Sequence, residues 1–173
     1  MGRLVLVMGE NNSGKSAFAE QLILKSGEKR YYIATMTPVT EENHERIKKH
    51  KAARARYGFK TLELQYSVSD ADIARYSAVL LEDVSNLLAN TVFEGRGSLE
   101  SVYSDILKLK DRCDILVAVT ISGLTEEGFD KDTAHYISAL NELNEKLSNS
   151  ANAVIIMKNK KHLYVKGSEN DIF

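Results

Sequence analysis

The chain has 173 residues, 43% of them apolar, and a formal net charge of −1. That length fits a single domain, residues 1–173, with a buried core. The even charge balance gives no basis for a nucleic-acid or membrane-surface partner, and no apolar run nears the roughly 20 residues that cross a bilayer.

The single cysteine, Cys113, excludes an internal disulfide and suits a reducing compartment. It reads as a small side chain beside a strand rather than as a nucleophile. No signal-peptide or acylation pattern is read ahead of the first apolar run, so a cytoplasmic location is expected.

In chain order, Leu4–Met8 is a short aliphatic run that reads as a strand. It leads into Gly9-Glu10-Asn11-Asn12-Ser13-Gly14-Lys15-Ser16, a complete G-x-x-x-x-G-K-[ST] phosphate loop, and then into a helical segment, Ala17 to Lys25. Such a loop wraps backbone N–H groups around phosphates and aims the positive end of the new helix at them. Gly9 and Gly14 permit close backbone approach. Lys15 is expected to reach the β- and γ-phosphates of a nucleoside triphosphate, GTP or ATP, and Ser16 to hold Mg²⁺.

Tyr31–Thr35 reads as the next strand, followed by a loop with the only proline, Pro38. Glu41–Tyr57 is charged and helical in pattern, and its Arg46, His50 and Arg54 recur every fourth position, on one face. The plain reading is a solvated basic face. The chemical one is two guanidinium groups that grip phosphate oxygens while the imidazole attacks phosphorus. His44 points to another face, and His135 and His162 read as ordinary surface or rim residues.

Thr61–Gln65 and Ala78–Glu82 are further strand candidates. The second ends in adjacent acids, Glu82 and Asp83. Glu82 is the preferred holder of the metal shell, because Asp83 is suited to cap a helix starting near Val84. Leu99, Val102, Ile106 and Leu109 form an apolar helical stripe, Ile115–Ile121 a strand, and Ile137, Leu140, Asn144 and Leu147 a second stripe with one polar member. Val154–Met157 and Leu163–Lys166 are separated by only a short connection and read as an antiparallel hairpin. The whole predicts an α/β fold of the P-loop NTPase kind: a mostly parallel sheet flanked by helices, with an antiparallel edge hairpin at the C-terminus.

The phosphate loop, Tyr32-Ile33-Ala34-Thr35, Arg46-Ile47-x-x-His50-x-x-x-Arg54, Thr61-x-Glu63 and Leu80-Leu81-Glu82 with Leu87-Leu88-Ala89-Asn90 together resemble one family. It is the bifunctional adenosylcobinamide kinase / adenosylcobinamide-phosphate guanylyltransferase family of cobalamin biosynthesis. The resemblance implies phosphorylation of the aminopropanol hydroxyl of adenosylcobinamide, then transfer of GMP from GTP onto that phosphate. It implies that His50 carries the guanylyl group and that Thr35, Lys51, Arg54, Glu63 and Glu82 join the nucleotide site. It also implies a homotrimer.

Later segments depart from the family's pattern: Thr120-Ile121-Ser122-Gly123-Leu124 stands where Thr-Asn-Glu-Val-Gly is usual. Asn159-Lys160-Lys161-His162 lacks the aspartate of the Asn-Lys-x-Asp guanine-reading motif, so a preference for GTP over ATP rests on resemblance alone. The residues by themselves leave open a P-loop kinase or NTPase with another acceptor, or a nucleotide-binding regulatory module.

Overall fold

The structure, a computed structural model, describes residues 2–37 and 40–173. Pro38 lies outside the described residues. Seven strands form one sheet: β1 (Arg3–Gly9), β2 (Arg30–Ala34), β3 (Phe59–Glu63), β4 (Ala78–Glu82), β5 (Ile115–Ile121), β6 (Ala153–Lys158) and β7 (Lys161–Lys166). Five helices accompany them: α1 (Lys15–Ser26), α2 (Glu41–Ala55), α3 (Val84–Phe93), α4 (Leu99–Arg112) and α5 (Lys131–Ser150).

The sheet order is β3-β2-β4-β5-β1-β6-β7, parallel throughout except for the β6–β7 pair. The expected mixed edge is therefore present. Strand side chains alternate between the two faces. On one face Leu4, Leu6, Leu81, Leu116 and Ala118 pack under α3, α4 and α5 through Leu87, Ile106, Leu140 and Leu143. On the other, Val5, Val7, Leu80, Val117 and Val119 meet Ala19, Leu22 and Ile23 of α1. Because both faces are covered, these strands read as unbroken aliphatic runs.

The helices begin where short polar side chains supply a first acceptor. Thr40 accepts from the Asn43 N–H at 3.1 Å, Asp83 from Asn86 at 2.6 Å, and Asp130 from Thr133 at 2.8 Å. At α4 the Ser98 and Ser101 side chains cap each other's backbone reciprocally. The Ile137 stripe on α5 is buried as expected, its polar member included. Asn144 accepts from the Thr120 hydroxyl at 2.8 Å and donates to the Ile121 carbonyl at 2.9 Å.

Two strands lie earlier than expected: β2 is Arg30–Ala34 rather than Tyr31–Thr35, a shift of one residue, and β3 moves by two. Residues 61–65 were the apolar-looking run, but β3 is Phe59–Glu63. Its partner β2 ends at Ala34, which pairs with Glu63, and the pairing closes with the Leu64 N–H donating to the Ala34 carbonyl at 2.9 Å.

The register aligns the carboxyl ends. Gly9 pairs with Ile121 and Met157, and Ala34 with Glu82 and Glu63. The phosphate loop, Glu82 and the exit toward α2 therefore share one edge of the sheet. That is the edge where open parallel sheets take their ligands.

Candidate active site

The loop after β1 is held in one shape from several sides. A Cβ on Gly9 would stand 2.6 Å from Ser13 Oγ and 2.7 Å from the Met157 carbonyl oxygen, so only glycine fits. Gly14 opens α1 with a φ of 95°, in the left-handed region. The turn between β6 and β7 rests on the loop: the Lys160 N–H donates to the Ser13 carbonyl at 3.0 Å. Asn159 and Lys160 take φ values of 50° and 62° there, as a tight hairpin turn requires. His162 on β7 stacks on Phe18 of α1, with ring centroids 4.8 Å apart, which ties the hairpin to the helix that the loop starts.

Lys15 is buried and its Nζ donates to the Glu10 carbonyl at 2.6 Å. Burial pulls its pKa below the ordinary lysine value, opposed by the nearby charges of Asp83 and Glu82. Ser13 Oγ is buried with no hydrogen-bond partner among the described residues. A loop with a buried, unmatched hydroxyl and a cation drawn inward is chemically suited to phosphate oxygens.

Beside the loop the Ser16 hydroxyl donates to Glu82 Oε1. The other oxygen, Oε2, accepts from the Tyr32 hydroxyl at 2.5 Å. Asp83 caps α3 while also lining the cavity, and burial pushes its carboxyl up to about 6, against the pull of the Asn86 N–H and with the Glu82 charge adding to the rise. Ser16 and Glu82 offer only oxygen, the donor type that Mg²⁺ prefers. No cluster of three or more His, Cys, Asp or Glu suited to a metal occurs among the described residues. A two-ligand set fits Mg²⁺, which keeps waters and binds substrate phosphates rather than sitting in an all-protein cage.

One cavity joins Ser16, Tyr32 and Glu82 to α2. Its lining includes Ser16, Tyr32, Glu63 and Glu82 from the sheet edge and Arg46, His50 and Arg54 from the helix. The four-residue spacing read from the sequence thus places all three basic side chains on the cavity. Arg54 is buried, with its guanidinium 3.5 Å from the Tyr32 ring centroid, whereas Arg46 and His50 are exposed.

Of the expected site residues, Thr35 and Lys51 are outside that lining, and so is the phosphate loop from Gly9 to Lys15; only its last residue, Ser16, reaches the cavity. Thr35 is fully buried, and its hydroxyl exchanges hydrogen bonds with the Asp83 backbone, donating at 2.9 Å and accepting at 2.8 Å. It braces the turn that carries Glu82. Lys51 is exposed and outside the lining, because it follows His50 on the helix and faces elsewhere. Glu10, Asn11 and Asn12 are exposed along the loop.

The cavity also includes residues not singled out from sequence: Glu20, Asn43, Gln65 and Asn86. Glu20 lies four positions after Ser16 on α1, a spacing that could have found it. Burial, followed by the Glu82 charge, raises its pKa, with Arg54 opposing.

The loop at the β1–α1 bend, set in a parallel sheet with Glu82 beside it, defines the chain as a P-loop nucleotide-binding protein. A protein of Pyrococcus horikoshii OT3, known from a structural study, superposes with a TM-score of 0.56 at 10% identity, covering 99% of this chain and 89% of that one. An ATPase from the type III secretion system of pathogenic bacteria does so at 0.56 and 10% identity, covering 92% of this chain and 52% of that one. Likeness at that identity speaks for the fold. No curated protein matches the chain.

The model of the cobinamide kinase / cobinamide phosphate guanyltransferase family matches residues 5–163, and the chain belongs to that family. It is therefore an enzyme with cobinamide kinase and guanylyltransferase chemistry, of cobalamin biosynthesis. The match runs well past the first-half motifs that carried the resemblance.

Proposed function

We propose that this chain, acting as one nucleotide-binding domain over residues 1–173, phosphorylates adenosylcobinamide and then guanylylates the product through His50. One observation carries the reading. The imidazole, flanked by Arg46 and Arg54, lines the same cavity as Ser16 and Glu82 beside the phosphate loop.

In the first step the aminopropanol hydroxyl attacks the γ-phosphorus of a nucleoside triphosphate, and the loop amides with Lys15 take up charge on the departing diphosphate. In the second, a ring nitrogen of His50 bonds to the α-phosphorus of GTP. The bond from that phosphorus to its bridging oxygen breaks, and pyrophosphate leaves with the electron pair. Arg46 and Arg54 neutralise the non-bridging oxygens, and the loop holds the pyrophosphate. An oxygen of cobinamide phosphate then attacks the same phosphorus and frees the imidazole. Ser16 and Glu82 would hold Mg²⁺, which when bound would supply Lewis-acid neutralisation of phosphate charge.

The test is incubation with α-labelled and γ-labelled GTP, followed by denaturation. Label retained from the α position alone, stable to alkali and labile to acid, and lost in His50→Ala, is the expected result. Retention unchanged in His50→Ala, or none in the wild type, overturns the histidine step.

A further inference from the structure

Helix α2 carries His50 but is held to the rest of the protein by little. Of its residues only Arg54 is buried. The guanidinium of Arg54 lies over the Tyr32 ring, 3.5 Å from its centroid, and its Nε has no hydrogen-bond partner among the described residues. The ring is therefore the main thing that Arg54 rests on, through a desolvated cation–π contact.

Tyr32 itself is buried on β2, and its side chain lines the cavity floor. Its hydroxyl donates to Glu82 Oε2 at 2.5 Å, while Glu82 Oε1 accepts from Ser16. A single side chain thus touches both the arginine that moors the His50 helix and the acid beside the phosphate loop.

We infer that Tyr32 is the positioning residue that sets the His50 helix against the phosphate-loop half of the site, its ring orienting Arg54 and its hydroxyl fixing Glu82. The inference rests on the proposed use of His50 for its first arm only. Neither task requires Tyr32 to touch the reacting phosphorus. The two arms are separable by substitution: phenylalanine keeps the ring and loses the bond to Glu82, whereas leucine loses both.

Tyr32→Phe and Tyr32→Leu, in the full chain, are compared with wild type for melting temperature and affinity for a fluorescent GTP analogue. The Mg²⁺ concentration that half-saturates that binding and the rate of guanylyl-enzyme formation are measured alongside. Tyr32→Phe is expected to bind the analogue at saturating Mg²⁺ within about twofold of wild type yet to need several-fold more Mg²⁺, since a charge-assisted hydrogen bond to the metal's acid is gone. Tyr32→Leu is expected to form guanylyl-enzyme at least about tenfold more slowly than Tyr32→Phe while still binding nucleotide.

An unchanged Mg²⁺ requirement in Tyr32→Phe overturns the inference, as do effects in both variants that simply follow the loss of melting temperature. Should Tyr32→Leu not fold, the Mg²⁺ titration of Tyr32→Phe decides alone. A wild type that forms no guanylyl-enzyme sinks the role of His50 and leaves the Mg²⁺ titration as the measure of Tyr32.

Discussion

Lys15 shows how a single residue can depend on what the loop will hold. Burial disfavours its charge, and Asp83 and Glu82 sustain it. Its own loop supplies one acceptor, the Glu10 carbonyl. Removing the cation should leave triphosphate charge unmatched in a site with few other fixed cations. Lys15→Ala is expected to lower both kinase and guanylyltransferase turnover by about 10²–10³-fold, and wild-type rates in either assay would refute the assignment. Cys113 is the opposite case, a reactive group kept out of chemistry. It is buried near the start of β5, and burial pushes its thiol up to about 12, with the Asp114 charge adding to the rise. The native protein should resist an aromatic disulfide reagent at pH 8 and react fully once unfolded in guanidinium. At this scale the placement of Gly9 at a close backbone approach, and of Ser16 and the basic trio on one cavity, was legible in the sequence, the trio through its spacing alone. Thr35 was not legible, because a hydroxyl that braces a backbone turn has the same sequence signature as one that meets a ligand.

Among the elements, the buried strands were plain because covering both faces leaves continuous aliphatic runs. The slip of β3 to Phe59–Glu63 comes from its partner's length, which no local pattern encodes. Helix α2 was recognisable by its charge pattern, but its docking was hidden. Periodicity detects apolar stripes, and the one buried side chain here is an arginine resting on an aromatic ring. The polar member of the α5 stripe proves to be a staple. Asn144 joins the helix to the end of β5, where the Ile121 N–H also donates to Ser85 Oγ at 2.9 Å. Replacing it with leucine would strand the Ile121 carbonyl and deprive the Thr120 hydroxyl of its nearest acceptor. Asn144→Leu should cost about 1–3 kcal/mol, seen as a lower urea midpoint with an unchanged slope.

Across the molecule, strand register brings the phosphate loop, Glu82 and the approach to α2 to one edge, although β5 stands between β1 and β4. The sequence could announce an acid at a strand end, but not that a non-adjacent strand would deliver it to Ser16. The family resemblance adds an expectation about assembly: three copies of the chain. Sedimentation equilibrium at micromolar concentration should return three times the chain mass, and a monomer across that range would overturn the homotrimer that the resemblance implies.

The contact between the Asn159–Lys160 turn and Ser13 means that the grip on a nucleotide is not governed by the glycine-rich motif alone. Two stretches nearly a whole chain apart meet there, through a main-chain hydrogen bond that depends on the shape of the turn rather than on its side chains. A chimera that borrowed the terminal hairpin of a relative would keep this support only if the new turn still presented a backbone N–H to the Ser13 carbonyl.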